Sequence, residues 1–276
     1  MLQTRPTSLA AYSRMIVVTP DLGEKVALAK SAARAWHHRK LSLGVRSADP
    51  PMPERPGRPS KPVLLPPRKM PKRTTAGLRG RIALLHSLAH IELNAIDMTW
   101  DLIGRFVWEN LPRSFFDDWV RVGVEEAKHF ELLSRRLNDL GAAYGDLPAH
   151  DGLWQAAQET GDSLLARIAI VPLVLEARGL DVSPAMIEKI TRHGDTDSAR
   201  ILSIIYNDEK RHVAFGCKWF RYLCAREGLA PEPTFHTLVR RHFRGKIKPP
   251  FNDKARSEAG LTPGFYKPLA ALGHVG

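Results

Sequence analysis

The chain has 276 residues, 43% of them hydrophobic and 25% charged, enough apolar content for a buried core in one large domain or two small ones. No run of 18 or more apolar residues occurs, which excludes a membrane-spanning helix. The net charge of +12 is unevenly placed: residues 1–80 hold 16 Lys/Arg against 4 Asp/Glu, whereas residues 81–276 hold 25 of each.

Residues 1–20 show no clear periodicity; they lack acids and hold two Arg, a faint likeness to a transit peptide, but no apolar core of a secretory signal is present. Asp21 to about His38 reads as a helix with Val26, Leu28 and Trp36 available for packing. Residues 50–71 are rich in proline, which fixes φ and removes amide donors, so an extended segment is expected. Val63, Leu64, Leu65 and Met70 would let it lie as a strap on the bundle. A long helix follows over about 75–107, its apolar stripe running Leu85, Leu88, Ala89, Ile96, Ile103 and Phe106 with Glu92 inside it. Its opposite side carries a polar row, His86, His90, Asn94, Asp97 and Asp101, expected to be a hydrogen-bonded seam under the strap.

Ser114-Phe-Phe-Asp117 resembles a capping box opening the next helix, which Gly141 ends. Residues 142–162 form a long connection with one short helical piece around 153–158. A helix over about 163–178 is expected to start at Asp162, kink at Pro172 and stop at Gly179, with Ser183-Pro184 opening a separate short helix. Asp197 to about Glu227 is the next long helix, and 234–245 a last one before an irregular tail. Cys217 and Cys224 lie i, i+7 on one helix, about 10 Å apart by rise, too far for a disulfide.

One pattern organises these elements. Glu92 is followed by Glu126-Ala-Lys-His129, and Glu176 by Glu209-Lys-Arg-His212. Glu-x-x-His puts a carboxylate and an imidazole on one helical face. Four Glu and two His on four helices are the ligand inventory of a di-iron or di-manganese carboxylate bundle. Hard carboxylate oxygens with imidazole suit iron or manganese, so two iron ions, or a mixed manganese–iron pair, are the expected cofactors. An acid precedes each motif, Glu125 and Asp208. Because metal-bound histidines commonly donate their second N–H to a carboxylate, Asp208 is expected to orient His129, and Glu125 to orient His212.

The stretches HSLAHIELNAIDMTWDLIGRF, EEAKHFELLSRRL, LEARGLDVSP and NDEKRHVAFG, with the upstream PGRPSKPVLLPPRKMPKR, resemble the ferritin-like family known as domain of unknown function 455. The likeness covers nearly all of residues 20–250 and extends, more distantly, to the di-iron tRNA hydroxylase acting on 2-methylthio-N6-isopentenyladenosine. It implies a ferritin-like fold and a di-iron centre.

The expected architecture is therefore all-α: a basic N-terminal helix and Pro-rich strap (1–74), a ferritin-like four-helix bundle (75–230), and a basic C-terminal helix and tail (231–276). The expected activity is an oxidoreductase that uses O2 and an electron donor to oxidise or hydroxylate a substrate. RNA is a candidate partner through the basic arms, a homodimer is compatible, no membrane is involved, and the cytoplasm is the expected compartment. The alternatives are a ferroxidase or iron-handling protein, and a non-enzymatic binding bundle with a structural metal.

Overall fold

Ser8 and Asp21 open the first two helices of the computed structural model, which describes residues 6–46, 49–66, 69–71, 77–150 and 152–271. Ser8 accepts the Ala11 amide to start α1 (Leu9–Val18), and Asp21 accepts the Glu24 amide to start α2 (Leu22–His37). No helix was expected before Asp21. Its sequence, LAAYSRMIVV, has apolar residues on every side, so it lacks the amphipathic period that marks a surface helix. The long helix α3 is Gly77–Arg105, and α4 is Arg113–Asp139. The α4 start differs from the expected capping box. Pro112 holds the N-cap position with no side-chain bond, and Ser114 lies inside the helix. The stop is as expected, with Gly141 at φ +76°.

The chain divides into two compact units, Met1–Gln155 and Ala156–Gly276, with the boundary inside α5 (Gly152–Glu159). In the first unit, α3 runs along α4, α1 packs on α3, and α2 packs on α4. All the helical faces meet in one apolar core that includes Trp36, Trp100, Phe115, Phe116 and Trp119.

The Pro-rich segment lies on this unit, though of the four residues expected to hold it only Leu65 and Met70 are half-buried. Val63 is 61% exposed, and Leu64 is exposed as well. Polar bonds hold it instead. Gly57 donates its amide to Val17, Arg105 reaches the Pro53 carbonyl, and Trp154 donates to Glu54. The backbone of 63–65 pairs with Ala149. Arg58 reaches Asp97 at 2.9 Å and Asn94 at 2.7 Å, so the strap's cation neutralises an acid buried on α3.

The polar row of α3 is the hydrogen-bonded seam expected. His86 Nε2 accepts the Gly145 amide, and Asp101 holds Arg105. Asp97 also receives the ammonium of Lys25 from α2, which is fully buried. His90 Nε2 faces the His150 carbonyl at 2.8 Å; a carbonyl can only accept, so Nε2 carries the proton and Nδ1 accepts from Tyr144 at 2.8 Å. A neutral ring is thereby required. Burial, aided by the nearby Arg58 charge and against the opposing pull of the His150 carbonyl, pushes the His90 pKa from 6.5 down to about 4. The folded state thus binds fewer protons than the unfolded state below pH 6.5. Stability should fall as pH drops from 6.5 to 4, by about 3 kcal/mol from this residue at 1.36 kcal/mol per unit. Urea titrations across this range should give a shallower slope for His90→Gln than for wild type; equal slopes would contradict the assignment.

In the second unit, α6 (Leu164–Ile170) is capped by Ser163, not Asp162. It passes through one π-helical turn, Val171–Glu176, into α7 (Ala177–Arg192). Pro172 has no amide to give the Ile168 carbonyl, and the chain absorbs the defect by widening to a π turn. Gly179 does not stop the helix, and Ser183-Pro184 does not start another: Pro184 sits inside α7. The Leu180 carbonyl, which Pro184 leaves without its helical donor, takes the Asn252 side chain at 3.2 Å. Next come α8 (Thr196–Arg226), capped by Asp195, and α9 (Pro231–His242).

The tail is not irregular. It forms α10 (Asp253–Glu258) and α11 (Pro263–Ala271). Its anchor is Asp181 on α7, which accepts both arms of the buried Arg256 at 2.8 and 2.7 Å and the Asn252 amide. Tyr206 is a hydrogen-bonding tyrosine, accepting from Asn252.

Cys217 and Cys224 are both free and buried on α8. Burial pushes their thiols up to about 12 and about 11. Neither should react with a thiol reagent in the native protein at pH 8, and both should react in denaturant. Rapid labelling of the native chain would contradict this packing.

Candidate metal centre

Glu92 enters the core from the middle of α3, within the apolar stripe that forces that face inward. On α4 the inward row Trp119, Val122, Glu126, His129, Leu133 and Leu137 is buried throughout. Glu126 and His129 have no exposed surface, and Glu92 is buried. His129 Nδ1 lies 3.3 Å from Glu92 and 3.4 Å from Glu126. The three side chains each bring one donor atom to within 4.8 Å of the others. Gly123, one turn before Glu126, lets this happen. A Cβ there would sit 2.8 Å from the Trp100 indole nitrogen, so any larger residue would push α4 from α3.

The second unit repeats the arrangement. Glu176 ends the π turn, and Glu209 and His212 sit one turn apart on α8. Glu209 and His212 are buried, and Glu176 is half-buried. His212 Nδ1 lies 3.7 Å from Glu209, and the three donors again lie within 4.8 Å of one another. A glycine again makes room. A Cβ on Gly216 would meet Pro172 of the π turn at 2.7 Å. Both Glu-x-x-His helices thus present Nδ1, not Nε2, to their carboxylates.

All six residues singled out by spacing fall into these two triads. What spacing could not supply was the π turn. Its extra residue changes the angular position of Glu176 relative to the residues before Pro172. The acids preceding each motif are also kept from solvent, with side-chain exposures of 13% for Glu125 and 14% for Asp208. Each accepts from an arginine on its own helix, Glu125 from Arg121 at 3.2 Å and Asp208 from Arg211 at 2.8 Å.

Comparison with known proteins places the chain. The family model described as "Protein of unknown function (DUF455)" matches residues 18–267. The chain belongs to the DUF455 family. A DUF455-like relative, an uncharacterised protein of Haemophilus influenzae, is 42% identical over 209 residues, covering 74% of this chain and 73% of that protein. No solved structure matches significantly. The matched region of this DUF455 chain contains every residue of both triads. Among the described residues, no helix is long and apolar enough to cross a membrane.

Proposed function

We propose that this DUF455 protein is a di-iron oxidoreductase of ferritin-like, four-helix-bundle type, in which Glu92, Glu126, His129, Glu176, Glu209 and His212 act together as one two-metal centre. The observation that carries the reading is the buried cluster in which Glu92, Glu126 and His129 each bring a donor atom within 4.8 Å of the others. Carboxylates gathered in a buried cluster carry charge that a bound cation would neutralise. The second triad supplies the same donor types in the same order. Four carboxylates carry −4, which two divalent ions neutralise. The donor set, oxygen-rich with imidazole, suits iron, with manganese or a mixed pair also accommodated.

When bound, such a pair supplies redox equivalents for reducing O2. The chain's own residues do the rest. His129 and His212, whose Nδ1 atoms face the carboxylates, would help to hold the metal ions. Glu125 and Asp208 are proposed to accept a hydrogen bond from the far N–H of an imidazole, Asp208 from His129 and Glu125 from His212, with Arg121 and Arg211 fixing both acids. The apolar lining of Trp119, Val122 and Leu133 on α4 excludes water. The substrate is proposed to be an organic molecule oxidised by O2, with a separate electron donor supplying the two further electrons that O2 takes up.

The test is anaerobic reconstitution with Fe(II), followed by measured O2 uptake. Uptake linked to the loaded centre, without growth of a mineral core or a cage-sized assembly, is the expected result. Mineralisation in a large cage would make it an iron-storage protein. A bound metal inert to O2 would make it a structural centre.

A further inference from the structure

The basic charge noted in the sequence separates into two kinds once side chains are placed. In the first unit several cations are matched to acids: Lys25 and Arg58 with Asp97, Lys30 with Glu131, and Arg105 with Asp101, while Arg39, Lys40 and Lys61 are scattered and exposed. The stretch Arg68–Arg79 lies largely outside the described residues. In the second unit exposed cations are concentrated in one stretch. Residues 240–248, RRHFRGKIK, carry five Lys/Arg and no acid. Arg240, Arg241, Lys246 and Lys248 are exposed and make no ion pair among the described residues. Arg244 alone is paired, with Glu159 at 2.9 Å.

The strip's backbone is pinned along its length. Phe235 and Val239 bury the inner face of α9, and the Phe235 ring meets Phe220. His242 Nδ1 donates to the Glu159 carbonyl at 3.0 Å. Arg178 donates to the carbonyls of Lys248 and Pro250, at 2.9 Å each. Cations on an ordered backbone form a fixed array and lose less freedom on meeting an anion. Favourable charge at a helix C-terminus accounts for Arg240 and Arg241 at most, because that effect fades within the last turn. It does not account for Arg244, Lys246 and Lys248.

We infer that residues 240–248 form a docking strip for a nucleic-acid phosphodiester backbone. A membrane surface fits less well, since interfacial helices lay an apolar face into the lipid and the apolar face of α9, Phe235 and Val239, is buried, while Phe243 and Ile247 within the strip are only half-exposed. With five cations and a single half-exposed aromatic, Phe243, the strip reads phosphates far more than bases, so it tolerates sequence and depends steeply on salt. This inference does not depend on the metal centre.

The test is fluorescence anisotropy on the full-length protein with a labelled RNA hairpin, a DNA duplex of equal length, and anionic lipid vesicles as a separate arm. Four phosphate contacts give a log–log salt slope of about −3 to −4 on duplex, an affinity loss of roughly 100-fold between 50 and 200 mM salt. Arg240→Gln/Arg241→Gln/Lys246→Gln/Lys248→Gln should bind at least tenfold more weakly with a slope near zero, with circular dichroism and metal content unchanged. Lys189→Gln/Arg192→Gln on α7 should bind as wild type. RNA binding well above DNA binding, or the reverse, identifies the source of the backbone. Absence of salt-dependent binding by wild type, binding to vesicles alone, or a quadruple variant with wild-type affinity and slope would overturn the inference. Retained binding after metal removal would separate this strip from the fate of the oxidoreductase reading.

Discussion

Asp97→Ala should lower the unfolding free energy by about 3–5 kcal/mol, the cost of leaving a buried charge without its partner. Asp97 is fully buried and neutralises two cations, Lys25 from α2 and Arg58 from the strap. Lys25 has no exposed surface, and beyond Asp97 it donates only to the Val17 carbonyl at 3.2 Å. Burial already holds its ammonium below the ordinary lysine range, against the opposing pull of Asp97. Without Asp97 the lysine must lose its proton on folding. A depressed folded pKa gives stability that is full above the unfolded value near 10.5 and lost as pH falls. The Asp97→Ala penalty should therefore shrink between pH 7 and pH 10 in urea denaturation. Lys25→Met should cost less, because Arg58 still faces Asp97. Lys25→Met combined with Asp97→Leu should recover most of the loss, as apolar replacement of buried pairs commonly does. A single-variant cost under 1 kcal/mol would contradict the view that this pair locks α2 and the strap to α3.

Glu126→Gln should reverse its effect with metal. In chelator, the variant should be more stable than wild type by about 1–3 kcal/mol, because it removes one of two buried carboxylates beside His129. With Fe(II) or Mn(II) at 100 to 1,000 times the dissociation constant, wild type should gain about 3–4 kcal/mol and the variant little. Thermal melts in the two conditions should cross. Equal responses from both proteins, or none, would mean that Glu126 is not a ligand.

The helices most legible in the sequence were those with two distinct faces. The Glu92 stripe on α3 and the Glu126–His129 row on α4 are buried as their spacing requires. The polar row from His86 to Asp101 was legible for the same reason. Helix α1 was not, because a segment apolar on all sides has no period to read. Local signals also failed where tertiary partners replaced them. Ser183-Pro184 looks like a helix start, yet Asn252, 68 residues on, satisfies the carbonyl that Pro184 strands. The tail looks irregular for lack of periodicity, but Asp181 fixes it through Arg256. The strap was expected to attach through Val63, Leu64, Leu65 and Met70, of which Val63 and Leu64 are exposed. It attaches through Arg58, whose partner Asp97 was visible only as one member of a polar row. The strap, Pro184 and tail misses all concern contacts distant in sequence, whereas Glu92, Glu126, His129, Glu209 and His212 lie on long helices whose periodicity was readable.

The most direct measurement is metal content per chain, by elemental analysis after reconstitution and desalting, for wild type, Glu126→Ala and His212→Ala. One alteration lies in each triad. If the two triads form one centre, wild type should retain two metal ions and each variant close to none, with helicity largely intact. One ion retained in each variant would mean two independent sites, and unchanged content in either would contradict the centre altogether.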